Sequence, residues 1–118
     1  MKRLLTLLTI LTLAVSAHAA PLRVFIRGGK KSHGPNAHEH EKFLNDWKVL
    51  LAGRGMKTDG AMDWPTAEQL RQTDVLVMYA QEGGNATDEQ KANLAEFTKR
   101  GGGIVVIHTA AVSSDPVW

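Results

Sequence analysis

The chain of 118 residues contains no cysteine. That single absence removes a disulfide framework, a thiolate zinc site and a cysteine nucleophile. An excess of charge of one sign is also missing. Once Lys2 and Arg3 are set aside with the leader described below, twelve basic residues face twelve acidic ones. A balanced and interspersed surface offers no electrostatic footprint for nucleic acid and none for an anionic membrane. Beyond the first twenty residues there is no long hydrophobic run to stop transfer through a membrane, and there are no internal repeats or low-complexity segments.

The first residues form a pattern of their own. Lys2 and Arg3 precede an apolar run over 4–15 with threonines interspersed, followed by Ala17-His18-Ala19, a small-x-small cleavage signature. The run is shorter than the roughly 20 residues of a membrane span. Residues 1–19 therefore read as a secretory signal peptide, and the mature chain is expected to begin near Ala20, exported to the periplasm or the exterior and free of the membrane. About 98 residues remain, at the low end of the size of one domain.

The remainder alternates between two periodicities. LRVFI at 22–26 reads as a strand stopped by Gly28 and Gly29. After a loop, Asn36 and Glu39 have the spacing of a capping box, and Phe43, Trp47, Leu50 and Leu51 recur at helical intervals up to Gly53 and Gly55. A weak strand is expected over 56–61 and a short helix from the capping box Thr66-Ala67-Glu68-Gln69. The continuous apolar runs DVLVMYA (74–80) and GIVVIH (103–108) read as strands buried on both faces. Between them Thr87-Asp88-Glu89-Gln90 opens a helix carrying Leu94 and Phe97. Strands alternating with helices imply right-handed crossovers and a mostly parallel sheet. Ser113-Ser114-Asp115-Pro116 has the form of a helix start, yet the sequence stops at Trp118, so the domain is expected to be incomplete at its C-terminus.

Ligands of open parallel sheets bind outside the carboxyl ends of the strands. That rule brings the loop after the first strand (His33, His38, His40), the loop after the third (Gln81, Glu82, Gly83, Gly84) and the end of the fourth (His108, Thr109) to one edge. Three readings of this cluster stay open, the plainest being a polar rim with helix-start histidines in water. His33, His38 and His108, with Glu82 or Glu41, have the chemistry to hold a divalent metal such as zinc. On a helix, however, His38 and His40 would point about 200° apart. Alternatively, His33 and His108, with Glu82, form an acid/base pair for sugar chemistry, since imidazole titrates near neutral pH. Gln81 and Asn85 would then contact hydroxyl groups; Trp47 and Trp64 read first as core or lid residues, and of the two Trp64, in the loop before Pro65, is the candidate to stack on a sugar ring. Gly28-Gly29-Lys30-Lys31-Ser32 does not meet the spacing of a phosphate-binding Walker loop, and no nucleotide cofactor is expected.

Four segments, KSHGPNAHEHEKFLNDW, TDVLVMYAQEGG, LAEFTKRGGGIVVIH and the closing SSDPVW, together resemble the ThuA-like, trehalose-utilisation family. The resemblance covers nearly all of the chain after the leader, in order. It implies an α/β, flavodoxin-like (class I glutamine amidotransferase-like) three-layer sandwich, of which residues 22–118 would be the N-terminal portion. It also implies a role linked to carbohydrate metabolism, on trehalose or a related glycoside, with a small-molecule sugar as partner. The glutamine-hydrolysing members of that fold carry a cysteine at a strand-to-helix elbow, and this chain has none, so glutaminase chemistry is excluded. The corresponding turn, His108-Thr109-Ala110-Ala111, offers a histidine and a threonine instead. A non-catalytic sugar-binding or scaffold module with the same fold is the alternative, distinguished by whether the polar edge carries working proton donors and acceptors.

Overall fold

The computed structural model describes residues 19–30, 33–81 and 86–112. The apolar leader run, Lys31 and Ser32, the loop residues Glu82, Gly83, Gly84 and Asn85, and the closing SSDPVW lie outside the described residues.

Four strands, β1 (Arg23–Arg27), β2 (Lys57–Ala61), β3 (Val75–Tyr79) and β4 (Gly103–Ile107), form one sheet in the order β2-β1-β3-β4. Every pairing is parallel, with Phe25 opposite Asp59 and Leu76, and Val77 opposite Val105. Three helices, α1 (His40–Ala52), α2 (Ala67–Arg71) and α3 (Asp88–Lys99), cover it. Side chains alternate across a strand, and here the alternation builds two cores. Val24, Ile26 and Val77 pack with Leu44 of α1. Phe25, Leu76 and Met78 pack with Leu70 of α2 and with Leu94 and Phe97 of α3. The result is the expected three-layer, flavodoxin-like α/β arrangement, with α1 on one face of the sheet and α2 and α3 on the other.

Local chemistry sets the helix starts. Thr66 and Thr87 each accept the N–H of the residue three positions on, and Gln69 and Gln90 return the bond to the cap backbone. Both capping boxes are thus present as the sequence spacing predicts, each contributing about 1 kcal/mol. The box expected at Asn36 is different. Glu39 does accept the Asn36 N–H, at 3.0 Å, but Asn36 has φ 63° and His38 φ 49°. Left-handed residues cannot continue into a right-handed helix, so α1 begins only at His40, with Glu39 as its cap residue. Leu50 is a second departure. It is 43 % exposed, while Phe43, Leu44, Trp47 and Leu51 make the inward face.

β4 corrects the expectation of a doubly buried strand. Among the described residues it is the edge of the sheet, and Val105 and Val106, on opposite faces, are 46 % and 40 % exposed. β3, lying between β1 and β4, has the predicted burial, with Leu76, Val77 and Met78 buried.

At the amino edge of the sheet Arg23 and Asp74 clamp β1 to β3. The Asp74 carboxylate accepts the Arg23 backbone N–H at 2.9 Å and its Nε–H at 3.0 Å, and also takes the terminal guanidinium. The side-chain bond, then the backbone bond, hold the carboxyl down from 3.8 to about 2. Because the folded value lies below the unfolded one, this stabilisation is complete above pH 3.8 and is lost as the pH falls toward 2. For a carboxylate one-third exposed, solvent screening reduces it to about 1 kcal/mol. Asp74→Asn is therefore expected to lower stability by about that amount at pH 7 and to leave it unchanged at pH 2, read by urea unfolding at the two pH values. An equal loss at both would assign the effect to packing.

Candidate functional site

The order β2-β1-β3-β4 reverses direction between β1 and β3, and the carboxyl ends of those two strands are where such sheets take ligands. β1 ends there in Gly28-Gly29. Gly29 has φ +64°, and a Cβ on it would stand 2.5 Å from the Cβ of Ala80. A glycine is required because the chain leaving β1 passes directly over the end of β3. That passage aims the carbonyls of Gly29 and Lys30 at His40, each 3.2 Å from Nδ1.

His40 opens α1 and is only 1 % exposed. A carbonyl can only accept, so Nδ1 of His40 carries the proton and, in the neutral ring, Nε2 carries the lone pair. The ring meets Tyr79, the last residue of β3, nearly edge to face at 4.6 Å between centroids, and Phe43 closes the far side of Tyr79 at 4.7 Å.

The exposed His33 and His108 and the half-buried His38 gather above this buried one. The His38 ring lies parallel to His40 at 6.1 Å, touches His33 at 4.4 Å and touches His108 at 4.5 Å. Nδ1 of His33 and Nδ1 of His38 are 3.0 Å apart in a hydrogen bond, so one proton sits between them and the two rings hold opposite roles at that position. His108 does not end β4 but begins the short 3-10 turn His108–Ala111, with φ 62°. Its Nδ1 accepts the Thr109 backbone N–H at 2.7 Å. Nδ1 also stands 3.0 Å from the Thr109 hydroxyl. Accepting the backbone N–H puts the proton of the neutral ring on Nε2, the reverse of His40, whereas donating to the hydroxyl would keep it on Nδ1. The Thr109 hydroxyl donates to the carbonyl of Gln81, tying the end of β3 to the turn after β4.

Three non-glycine residues among those described have positive φ, and two of them are His38 and His108. Such a conformation costs about 1–2 kcal/mol for an ordinary side chain and persists where the surroundings impose it, most often at functional sites. Neither strain nor tautomer could be read from the sequence. The signal that was available was three histidines after β1 together with one after a strand-like run.

The residues predicted for the site thus separate into three groups. His33, His38 and His108 come together, with His40 beneath them. Gln81 joins them through its backbone. Glu82 and Asn85 lie outside the described residues. Trp64 stands apart, since it packs into the core on the α2/α3 face, whereas Tyr79 and His40 belong to the α1 side. For a divalent metal the imidazole chemistry is suitable, but His33 and His38 direct Nδ1 at one another. Among the described residues no three His, Asp or Glu side chains are placed to hold one ion. A cavity lined by Arg23, Lys57, Asp59 and Gln72 opens toward the amino ends of β1 and β2 and includes none of these histidines.

A family model described as ThuA, trehalose utilisation, matches residues 24–118. No curated protein and no solved structure compared with the chain matches it.

Proposed function

The chain belongs to the ThuA family, described by its role in trehalose utilisation, and from that premise we propose that it is an exported protein of carbohydrate metabolism whose histidine edge moves protons on a sugar. The observation that carries this reading is the opposed pair of tautomers. His40 has a lone pair at Nε2, set by two backbone carbonyls, and His108 has a proton at Nε2 when its Nδ1 accepts the Thr109 backbone N–H in preference to donating to the Thr109 hydroxyl. Proton transfer next to a sugar carbonyl needs one acceptor and one donor. His108 stands exposed at the rim, and His40, 1 % exposed, meets a sugar only when the His38 ring above it moves aside. The His33–His38 pair, sharing a proton between two Nδ1 atoms, supplies a relay to solvent. The export half of the proposal rests on the leader pattern of residues 1–19, and an intact Met1 on the chain recovered from its native host would remove it.

The test is proton exchange. Reducing sugars incubated with the full chain in deuterium oxide are expected to take up deuterium at the carbon beside the carbonyl, followed by proton NMR. His108→Ala should slow that uptake by about 10²–10⁴-fold. Sugars that bind without any exchange would sink the catalytic reading and leave a sugar-binding module.

A further inference from the structure

β1 reads RVFIR, and its last residue interrupts an otherwise apolar interior. Arg27 lies on the same side of the strand as Phe25, beside Met78 of β3 and Ala61 of β2, and is 7 % exposed. The Trp64 ring lies on its guanidinium at 4.0 Å. That contact uses the face of the cation and leaves the N–H groups pointing outward in its plane. Three buried side-chain nitrogen atoms have no hydrogen-bond partner among the described residues: Arg27 Nε, Arg27 Nη1 and Trp64 Nε1. All three are donors, and all sit on two side chains in contact.

A buried guanidinium cannot escape its cost by losing a proton, because arginine stays charged under all ordinary conditions. Burial lowers its pKa, and the Asp63 carboxylate, acting through space, offsets this only in part. Replacement of such an unsatisfied cation by an apolar residue is commonly neutral or stabilising, so core packing gives no reason for an arginine at this position. Its place does. Arg27 is the carboxyl-terminal residue of β1, at the point where the strand order reverses.

We propose that Arg27 and Trp64 form a binding site for an oxyanion, the carboxylate or phosphate group of an acidic sugar, held on the α2/α3 side of the sheet edge whose α1 side carries the histidines. The sugar part of this assignment rests on the carbohydrate reading above; the oxyanion part rests on the donors alone. An oxyanion brings acceptors and negative charge together, which water or a neutral hydroxyl does not. Trp64 belongs to the irregular segment between β2 and α2 and packs against the α2/α3 core, so an indole that moves off the guanidinium gives up side-chain contacts but breaks no strand or helix backbone bond. Its N–H then adds a third donor.

The experiment is calorimetric titration of the full chain with glucose, glucuronate, glucose 6-phosphate and inorganic phosphate, repeated on Arg27→Met, Trp64→Phe and Asp63→Asn. The expected result is that glucuronate or glucose 6-phosphate binds roughly tenfold or more tightly than glucose, with the preference lost in Arg27→Met and weakened in Trp64→Phe. The tighter of the two acids identifies carboxylate or phosphate. Asp63→Asn removes the nearby carboxylate and is expected to tighten anion binding, which keeps the test decisive should Arg27→Met fail to fold. Glucose binding as well as the acids, or a preference that survives Arg27→Met, overturns the site while sparing the carbohydrate reading. Phosphate binding that depends on Arg27, with no sugar bound, upholds the oxyanion site and removes the carbohydrate reading.

Discussion

Phe97→Ala is expected to lower stability by about 3–5 kcal/mol, measured by urea unfolding followed by circular dichroism. Phe97 is 1 % exposed, packs with Phe25, Leu70 and Leu94, and takes the Arg100 guanidinium over its ring at 5.0 Å. It also shapes the turn into β4. A Cβ on Gly102 would stand 2.5 Å from the Phe97 ring, and the Phe97 carbonyl accepts the Gly102 N–H at 2.9 Å. Truncation therefore leaves a cavity where α3, the sheet and the entry to β4 meet. A domain of this size has about 5–15 kcal/mol in total, so the variant is expected to be marginal. Val106→Ala, at an exposed edge position, serves as the control and should change stability by about 0.5 kcal/mol or less. Similar losses in both variants would mean that β4 is covered in solution.

The contrast between these two residues also shows what can be read in the sequence. Phe97 follows Leu94 by three positions in a helix opened by a capping box, and both signals are local, so the inward face was predictable. The run GIVVI has the same apolar density as VLVMY, yet β3 is central and β4 is an edge among the described residues. Composition records what a strand tolerates on its faces, while strand order depends on crossovers that no short window contains. The start of α1 departs from the sequence spacing for a related reason. Asn36 and Glu39 have capping-box spacing and form half of its bonds, but the left-handed turns at Asn36 and His38 delay the helix to His40.

For the site, the topological rule was enough to bring His33, His38 and His108 to one edge, because it depends only on which loops follow which strands. It did not reveal which side of the sheet each residue serves. Trp64 beside Pro65 reads as a core or lid residue with stacking as its second role, and the fold packs it against the core and over Arg27. Arg27 carries no signal in the sequence, since an arginine at the end of a short strand is ordinarily a solvated terminus. Its near-complete burial follows from Trp64 and the α2/α3 core folding over it, which is tertiary information. The depth of His40 was equally hidden. In HEHE it looks like one of two exposed histidines, and only the passage of Gly29 over Ala80 turns it inward.

His40 allows its structural and chemical roles to be separated by two amide substitutions. An asparagine amide places its N–H where Nδ1 stands and nothing where Nε2 stands; a glutamine amide reaches the Nε2 position and abandons Nδ1. His40→Asn is expected to keep a donor for the carbonyls of Gly29 and Lys30 and to hold stability nearly unchanged, while deuterium uptake by reducing sugars falls by about 10²–10⁴-fold. His40→Gln is expected to leave those carbonyls without their buried donor and to lose about 1–3 kcal/mol. Long-range nitrogen–proton NMR correlations of the unsubstituted chain test the premise directly, with the proton of the neutral ring on Nδ1 in His40 and on Nε2 in His108. If both rings carry it on the same nitrogen, the donor–acceptor pair does not exist and proton transfer at this edge has no basis. If the tautomers are opposed and His40→Asn still exchanges at the full rate, the acceptor must be sought in the His33–His38 pair, whose shared proton then becomes the working one.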